Sequence, residues 1–191
     1  MKEHRLEQTI LWRCLDSPGH DACGLWALPD GWRLSGAAVF SLEEQPCHLA
    51  YTVDSDLAWR TRSATVTGWF GHEPVALVIE SLAGERWSLN GSEQGAVAGC
   101  VDIDLSFTPA TNLIALRRLA LPIGEGAEAP AAWLDFPAPT LQRLEQQYRR
   151  LTSDRYGYQS PGNGYAGQLE VSEAGFVLRY PGLWELELVS H

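Results

Sequence analysis

Turn signals recur along this chain at intervals too short for long helices, and that spacing limits its folds more than any other feature. Pro29-Asp30-Gly31, Glu43-Glu44-Gln45-Pro46, Gly71-His72-Glu73-Pro74, Ala83-Gly84, Asn90-Gly91, Ser160-Pro161-Gly162-Asn163-Gly164 and Glu173-Ala174-Gly175 punctuate the sequence. The segments between them are mostly about 6 to 12 residues long, which is the pattern of an antiparallel β protein. Residues 75–82 followed by 87–89, and 169–172 followed by 176–180, predict two hairpins. Residues 34–41, 48–54, 62–70 and 183–189 supply further strands. Gly124 to Ala132, rich in Gly, Ala, Glu and Pro, reads as an exposed, mobile loop.

The stretch from Gly99 to Leu119 carries the densest chemistry. Val101, Ile103 and Leu105 alternate with Cys100, Asp102, Asp104 and Ser106, the period of a strand with two unlike faces. Asp102 and Asp104 therefore point the same way, about 7 Å apart along the strand. A turn at residues 108–112 follows, with a short helical turn expected near 108–113, Thr108 as its cap and Pro109 at its first position. The chain then delivers Arg117 and Arg118, which can bring guanidinium groups back toward the carboxylates. Such polar groups in an apolar setting must satisfy one another or meet a ligand. Trp59-Arg60-Thr61-Arg62, read as a strand, sets Trp59 and Thr61 on one face and the two arginines on the other.

The chain has 191 residues, which fits one domain spanning 1–191. Eight tryptophans and a 45% hydrophobic content imply a large buried apolar surface. A net charge of −10 argues against nucleic acid and anionic membranes as partners. No apolar run approaches the roughly 18 residues needed to cross a bilayer, so integral membrane association is not expected. The N-terminal residues lack the apolar core of a secretory signal, which predicts a cytoplasmic address. Cys14, Cys23, Cys47 and Cys100 form no Cys-x-x-Cys pair and read as reduced thiols. His4, His20, His48, His72 and His191 have no second ligand at a metal-binding spacing, so no metal and no cofactor are expected. No nucleophile elbow, phosphate loop or dinucleotide fingerprint occurs, and no catalytic residue is singled out.

Gly99-Cys-Val-Asp-Ile-Asp, then Thr108-Pro-Ala-Thr-Asn and Arg117-Arg-Leu, resemble the signature of a bacterial family first called a domain of unknown function and later labelled putative glycolipid-binding. Tyr51-Thr-Val-Asp-Ser-Asp, Trp59-Arg-Thr-Arg, Trp87-Ser-Leu-Asn-Gly, Gln147-Tyr-Arg-Arg-Leu, Tyr156-Gly-Tyr and Gly175-Phe-Val-Leu-Arg-Tyr-Pro are similar to its other recurring stretches. The likeness runs from about Trp12 to Tyr180. It departs at Ala115-Leu116, where the family usually has proline. The resemblance implies an all-β fold with few short helical turns: one curved antiparallel sheet forming a half-barrel or open barrel, like bacterial lipoprotein carriers, with a concave face suited to an amphiphile. It also bears on residues 141–151. Leu141, Leu144, Tyr148 and Leu151 fall at helical spacing, whereas the resemblance implies a long strand leading into Tyr156-Gly-Tyr158, and strand is the reading adopted.

The leading expectation is a non-catalytic binding protein for a small amphiphile, such as a glycolipid or acyl compound, held in the concave face. Trp59, Tyr148 and Tyr156 would supply apolar contact. Arg62, Asp102, Asp104, Asn112 and Arg117 would orient a polar head by charge-assisted bonds. Two alternatives stand beside it. One is a small-substrate hydrolase using Asp102 or Asp104 as general base. The other is a scaffold in which aspartate and arginine only brace one another, with a sheet edge that pairs to a second copy in a homodimer.

Overall fold

The structure, a computed structural model, describes residues 4–190. Six long strands open the chain: β1 (Arg5–Cys14), β2 (Gly19–Leu28), β3 (Gly31–Leu42), β4 (Gln45–Asp56), β5 (Thr61–Phe70) and β6 (Glu73–Leu82). Each pairs with the next as an antiparallel meander. Then follow β7 (Arg86–Leu89), β8 (Ser92–Glu93), β9 (Asp102–Leu105), the helix α1 (Asn112–Leu119), β10 (Gly126–Glu128), β11 (Ala131–Leu134) and β12 (Leu141–Leu144). The chain closes with β13 (Gln147–Arg150), β14 (Arg155–Ser160), β15 (Tyr165–Val171), β16 (Val177–Tyr180) and β17 (Trp184–Ser190).

Fourteen of these strands form one sheet, in the order β10-β13-β14-β15-β16-β17-β1-β2-β3-β4-β5-β6-β7-β8. The pairing of β17 with β1 joins the two halves of the chain. The end strands β10 and β8 do not pair with each other, so the sheet is an open barrel, as the resemblance implied. Both expected hairpins are present. Asn90 and Gly91 take φ of 49° and 78° between β7 and β8, the two left-handed positions that a tight hairpin turn requires.

Alternation decides what faces inward. In β4, Cys47, Leu49, Tyr51, Val53 and Ser55 are buried while their neighbours are partly open. The concave face so formed is not empty. A second sheet, β12-β11-β9, packs with α1 inside it, and Ile103, Leu105, Leu113 and Ile114 join the sheet residues in one core.

Three local expectations need correction. Residues 124–132 are not a loop throughout: Gly124, Glu125, Gly126 and Glu128 are exposed as expected, but the segment supplies β10 and the start of β11, and Ala129, Ala131 and Ala132 are fully buried. The helix lies three to four residues later than expected, since the Thr108 hydroxyl accepts from Ala110 N and bonds Asp21 rather than capping a helix. Residues 141–151 are extended, yet they make two strands in different sheets, β12 and β13, not one long strand.

Candidate functional site

Strand β9 lies parallel to β11, with Asp102 opposite Ala131 and Asp104 opposite Trp133. Both aspartates project from one face, as alternation requires, but their environments differ. Asp102 is 1% exposed and receives two hydrogen bonds from Arg118, Nε to Oδ1 at 2.8 Å and Nη2 to Oδ2 at 2.6 Å. Burial outweighs this pairing, so the Asp102 carboxyl lies above the usual carboxylate range, while the same bonds hold Arg118 charged. No hydrogen bond or ion pair within the described residues reaches the Asp104 carboxylate, and burial alone pushes its pKa up to about 7. Asp104 is half-buried, so its side chain still touches accessible space.

Asn112, Tyr148 and Asp104 belong to one interior group. Asn112 Nδ2 donates to the Tyr148 hydroxyl at 2.8 Å, and the Tyr148 and Tyr158 hydroxyls both donate to Gln146 Oε1, at 3.1 and 3.0 Å. The Asp104 charge helps push the Tyr148, Tyr158 and Tyr180 hydroxyls up, behind burial as the larger cause.

Trp59, Arg117 and Tyr156 meet elsewhere, at a cleft of about 630 Å³ on the rim of the barrel. Its walls come from the β4–β5 loop, the C-terminal end of α1, β14, β15 and the loops around Ser153 and Glu173. Trp59 does not extend β5 as expected. It occupies the left-handed region with φ of 64°, which costs a bulky residue about 1–2 kcal/mol. Asp56 Oδ1 fixes this bend by accepting from Ala58 N and Arg60 N, and the Trp32 ring stacks on Trp59 at 4.6 Å. The Arg117 guanidinium lies over the Trp59 ring, 5.3 Å from its centre, and not against the aspartates, with which it forms no hydrogen bond or ion pair. Across the cleft, Arg150 lies 5.8 Å from the centre of Tyr156 and donates to the carbonyls of Leu121, Thr152 and Ser153. Neither guanidinium forms an ion pair among the described residues.

Arg62 stands apart from the other seven candidates. It is exposed and bonded to Asp30 Oδ2 at 2.7 Å, so its partner is a surface carboxylate. Sequence reasoning also missed Asp21, which is fully buried in β2. Its Oδ2 accepts from Tyr51 and Thr108, its Oδ1 has no partner, and burial pushes its pKa up to about 6. A lone carboxylate amid the apolar residues of a strand was the available signal. Among the described residues no cluster of three His, Cys, Asp or Glu is placed to hold a metal ion, and no helix is long and apolar enough to cross a membrane.

An open all-β half-barrel with an interior packed by a helix and a small sheet, and a cationic aromatic cleft at its rim, defines the class of protein. The chain belongs to the putative glycolipid-binding family, whose model matches residues 9–186. It is also similar to a DUF1089 family protein from Pseudomonas aeruginosa known from a crystal structure at 1.80 Å resolution. The two share 29% identity at a TM-score of 0.77, over 86% of this chain and 90% of that one. No curated protein matches the chain.

Proposed function

We propose that the protein is a non-catalytic binding protein for an amphiphile of the glycolipid or acyl-compound class, with the rim cleft as the binding site. The observation that carries this reading is the pair of guanidiniums, Arg117 and Arg150, each held against an aromatic ring and neither ion-paired, facing a cleft of about 630 Å³. Stacking holds the Arg117 guanidinium in place while its N–H edge stays available for a bidentate oxyanion, and Arg150, anchored by the carbonyls of Leu121, Thr152 and Ser153, adds a second positive charge to the cleft. Trp59, Leu116, Tyr156 and Val171 add apolar surface for a chain or a sugar face. The volume lies within the range of about 300–1,000 Å³ usual for small-molecule sites. The family's name supports a lipid-like ligand.

Native mass spectrometry of protein purified from cells, followed by titration with a panel of acyl glycosides and acyl phosphates, tests the reading. A co-purifying amphiphile whose binding falls at least tenfold in Arg117→Ala and Trp59→Ala supports it. No retained lipid and no binding across the panel would sink it. One observation favours a second reading: the Asp104 carboxyl, titrating at about 7 without a protein partner, has the pKa of a general base. Hydrolysis of aryl glycosides or esters that disappears in Asp104→Asn would support that reading, and inertness toward both would remove it.

A further inference from the structure

The end of the barrel opposite the rim cleft carries a second concavity with a different lining. Trp59 follows β4 and the β3–β4 turn precedes it, so the two lie at opposite ends of that strand. Around the β3–β4 turn a cleft of about 420 Å³ is framed by the β1–β2 turn, the segments after β9 and β11, and the start of β17. Phe40, Phe107, Phe136 and Trp184 give it apolar walls. The Phe107 ring lies 6.2 Å from Phe40, nearly parallel to it, and 6.0 Å from Phe136, edge to face. Tyr51 and Phe70, outside the lining, meet Phe107 and Phe136 edge to face at 5.9 and 5.7 Å and hold those walls in place.

The charged groups at this cleft are all of one sign. Asp16, Glu43 and Asp135 line it, and no Arg, Lys or His among the described residues does. None of the three carboxylates joins an ion pair, and only Asp16 has a hydrogen-bond partner, the Cys14 thiol at 2.9 Å. Asp135 is half-buried, so its partnerless carboxylate sits partly out of water, directly before Phe136 in the chain. Glu43 is brought to the cleft by a turn in which it and Glu44 take left-handed φ of 50° and 60°, positions that Asn and Gly fill with less strain. Unpaired carboxylates beside aromatic rings are complementary to a cation with an apolar body.

We propose that this far-end cleft is a binding site for a small organic cation, an ammonium group joined to an aryl or alkyl body. The carboxylates take the ammonium, the rings take the body, and an anion meets only charge of its own sign. The volume lies within the range of about 300–1,000 Å³ that small molecules occupy. The site differs from the rim cleft in place and in sign: there a guanidinium awaits an oxyanion, here carboxylates await a cation. Neither assignment rests on the other, and their probes differ.

Isothermal titration of the full chain with phenethylamine, phenethyl alcohol and hydrocinnamate, which share one body and differ in the charge of the end group, is the test. The amine, protonated at neutral pH, should bind at least about tenfold more tightly than hydrocinnamate, with the alcohol between them, and should weaken as salt is raised. Its affinity should fall at least about threefold in Asp135→Asn and further when Glu43→Gln is added, with near-ultraviolet circular dichroism verifying each fold. A second readout needs no substitution. Cys14 lines the cleft and is the one cysteine of the four that is not buried, so saturating amine should slow its alkylation by iodoacetamide, followed by peptide mass spectrometry. Equal binding of amine and alcohol, or tighter binding of hydrocinnamate, would overturn the cation assignment. Undiminished alkylation of Cys14, or an affinity indifferent to the double substitution, would place the amine elsewhere, and no binding of any of the three would reject the site.

Discussion

Replacing Asp104 by Asn should change how stability depends on pH more than any other single substitution in this protein. The carboxyl titrates at about 7 in the folded chain against an ordinary 3.8. That gap of roughly three pH units is worth about 4 kcal/mol at ~1.36 kcal/mol per unit. Water in the accessible space beside the side chain lowers the expected effect to about 2–4 kcal/mol. The folded chain holds the proton more tightly than the unfolded chain, so stability is highest below the ordinary carboxylate pKa. It falls as the pH rises from about 4 to about 7 and is level beyond that. Asp21, pushed up to about 6 by burial, acts in the same direction. Denaturant unfolding at about pH 5 and about pH 8 should therefore show a wild-type chain that is weaker at the higher pH. Asp104→Asn, which cannot ionise, should recover about 2–4 kcal/mol at pH ~8 and only about 1–2 kcal/mol at pH ~5, where the ordinary carboxylate pKa has been passed by little more than one unit. If the variant and the wild type keep parallel pH profiles, or if the variant is the less stable at pH ~8, the claim that Asp104 is desolvated without a partner is wrong.

Arg118→Ala strands the Asp102 carboxylate at 1% exposure and should destabilise the fold by about 3–5 kcal/mol, whereas Asp102→Leu combined with Arg118→Met should cost markedly less, both read by denaturant unfolding. Gly36→Ala would place a methyl carbon 2.5 Å from the Tyr51 hydroxyl and ring, which are held by Asp21 and Thr108, so its melting temperature should fall by well over 5 °C, reflecting at least about 2 kcal/mol of overpacking. A fall of a degree or less would show that Tyr51 can move.

The strands and hairpins were legible because each rests on local signals: alternation that buries one face, and turns whose residues tolerate left-handed backbone, as at Asn90-Gly91. The site was legible only in pieces. Alternation placed Asp102 and Asp104 on one face, but the geometry of α1 sends Arg118 to Asp102 and turns Arg117, one residue earlier and about 100° round the helix, toward Trp59. That split depends on helix phase, and the helix begins at Asn112 rather than near Thr108. The small sheet was hidden for a different reason. Its Ala129, Ala131 and Ala132 carry loop-like composition, and only close tertiary approach makes their methyl groups part of the core. Asp21 escaped notice because a single polar residue in a strand says nothing about whether a partner will face it across the barrel.

Residues 108–118 connect these separate features. Thr108 bonds Asp21 on β2, Asn112 bonds Tyr148 on β13, Arg117 covers Trp59 beyond β4, and Arg118 pairs with Asp102 on β9. One turn and an eight-residue helix thus tie the interior tyrosine group, the buried ion pair and the rim cleft to both halves of the open sheet. An isolated helix of this length is marginal in water, so its position is set by these contacts rather than by its own propensity. A ligand that draws Arg117 away from Trp59 therefore pulls on the same helix that positions Asn112 against Tyr148. Occupancy of the cleft should be felt at Tyr148 through that shared element, and the coupling should vanish when Arg117 is shortened to alanine.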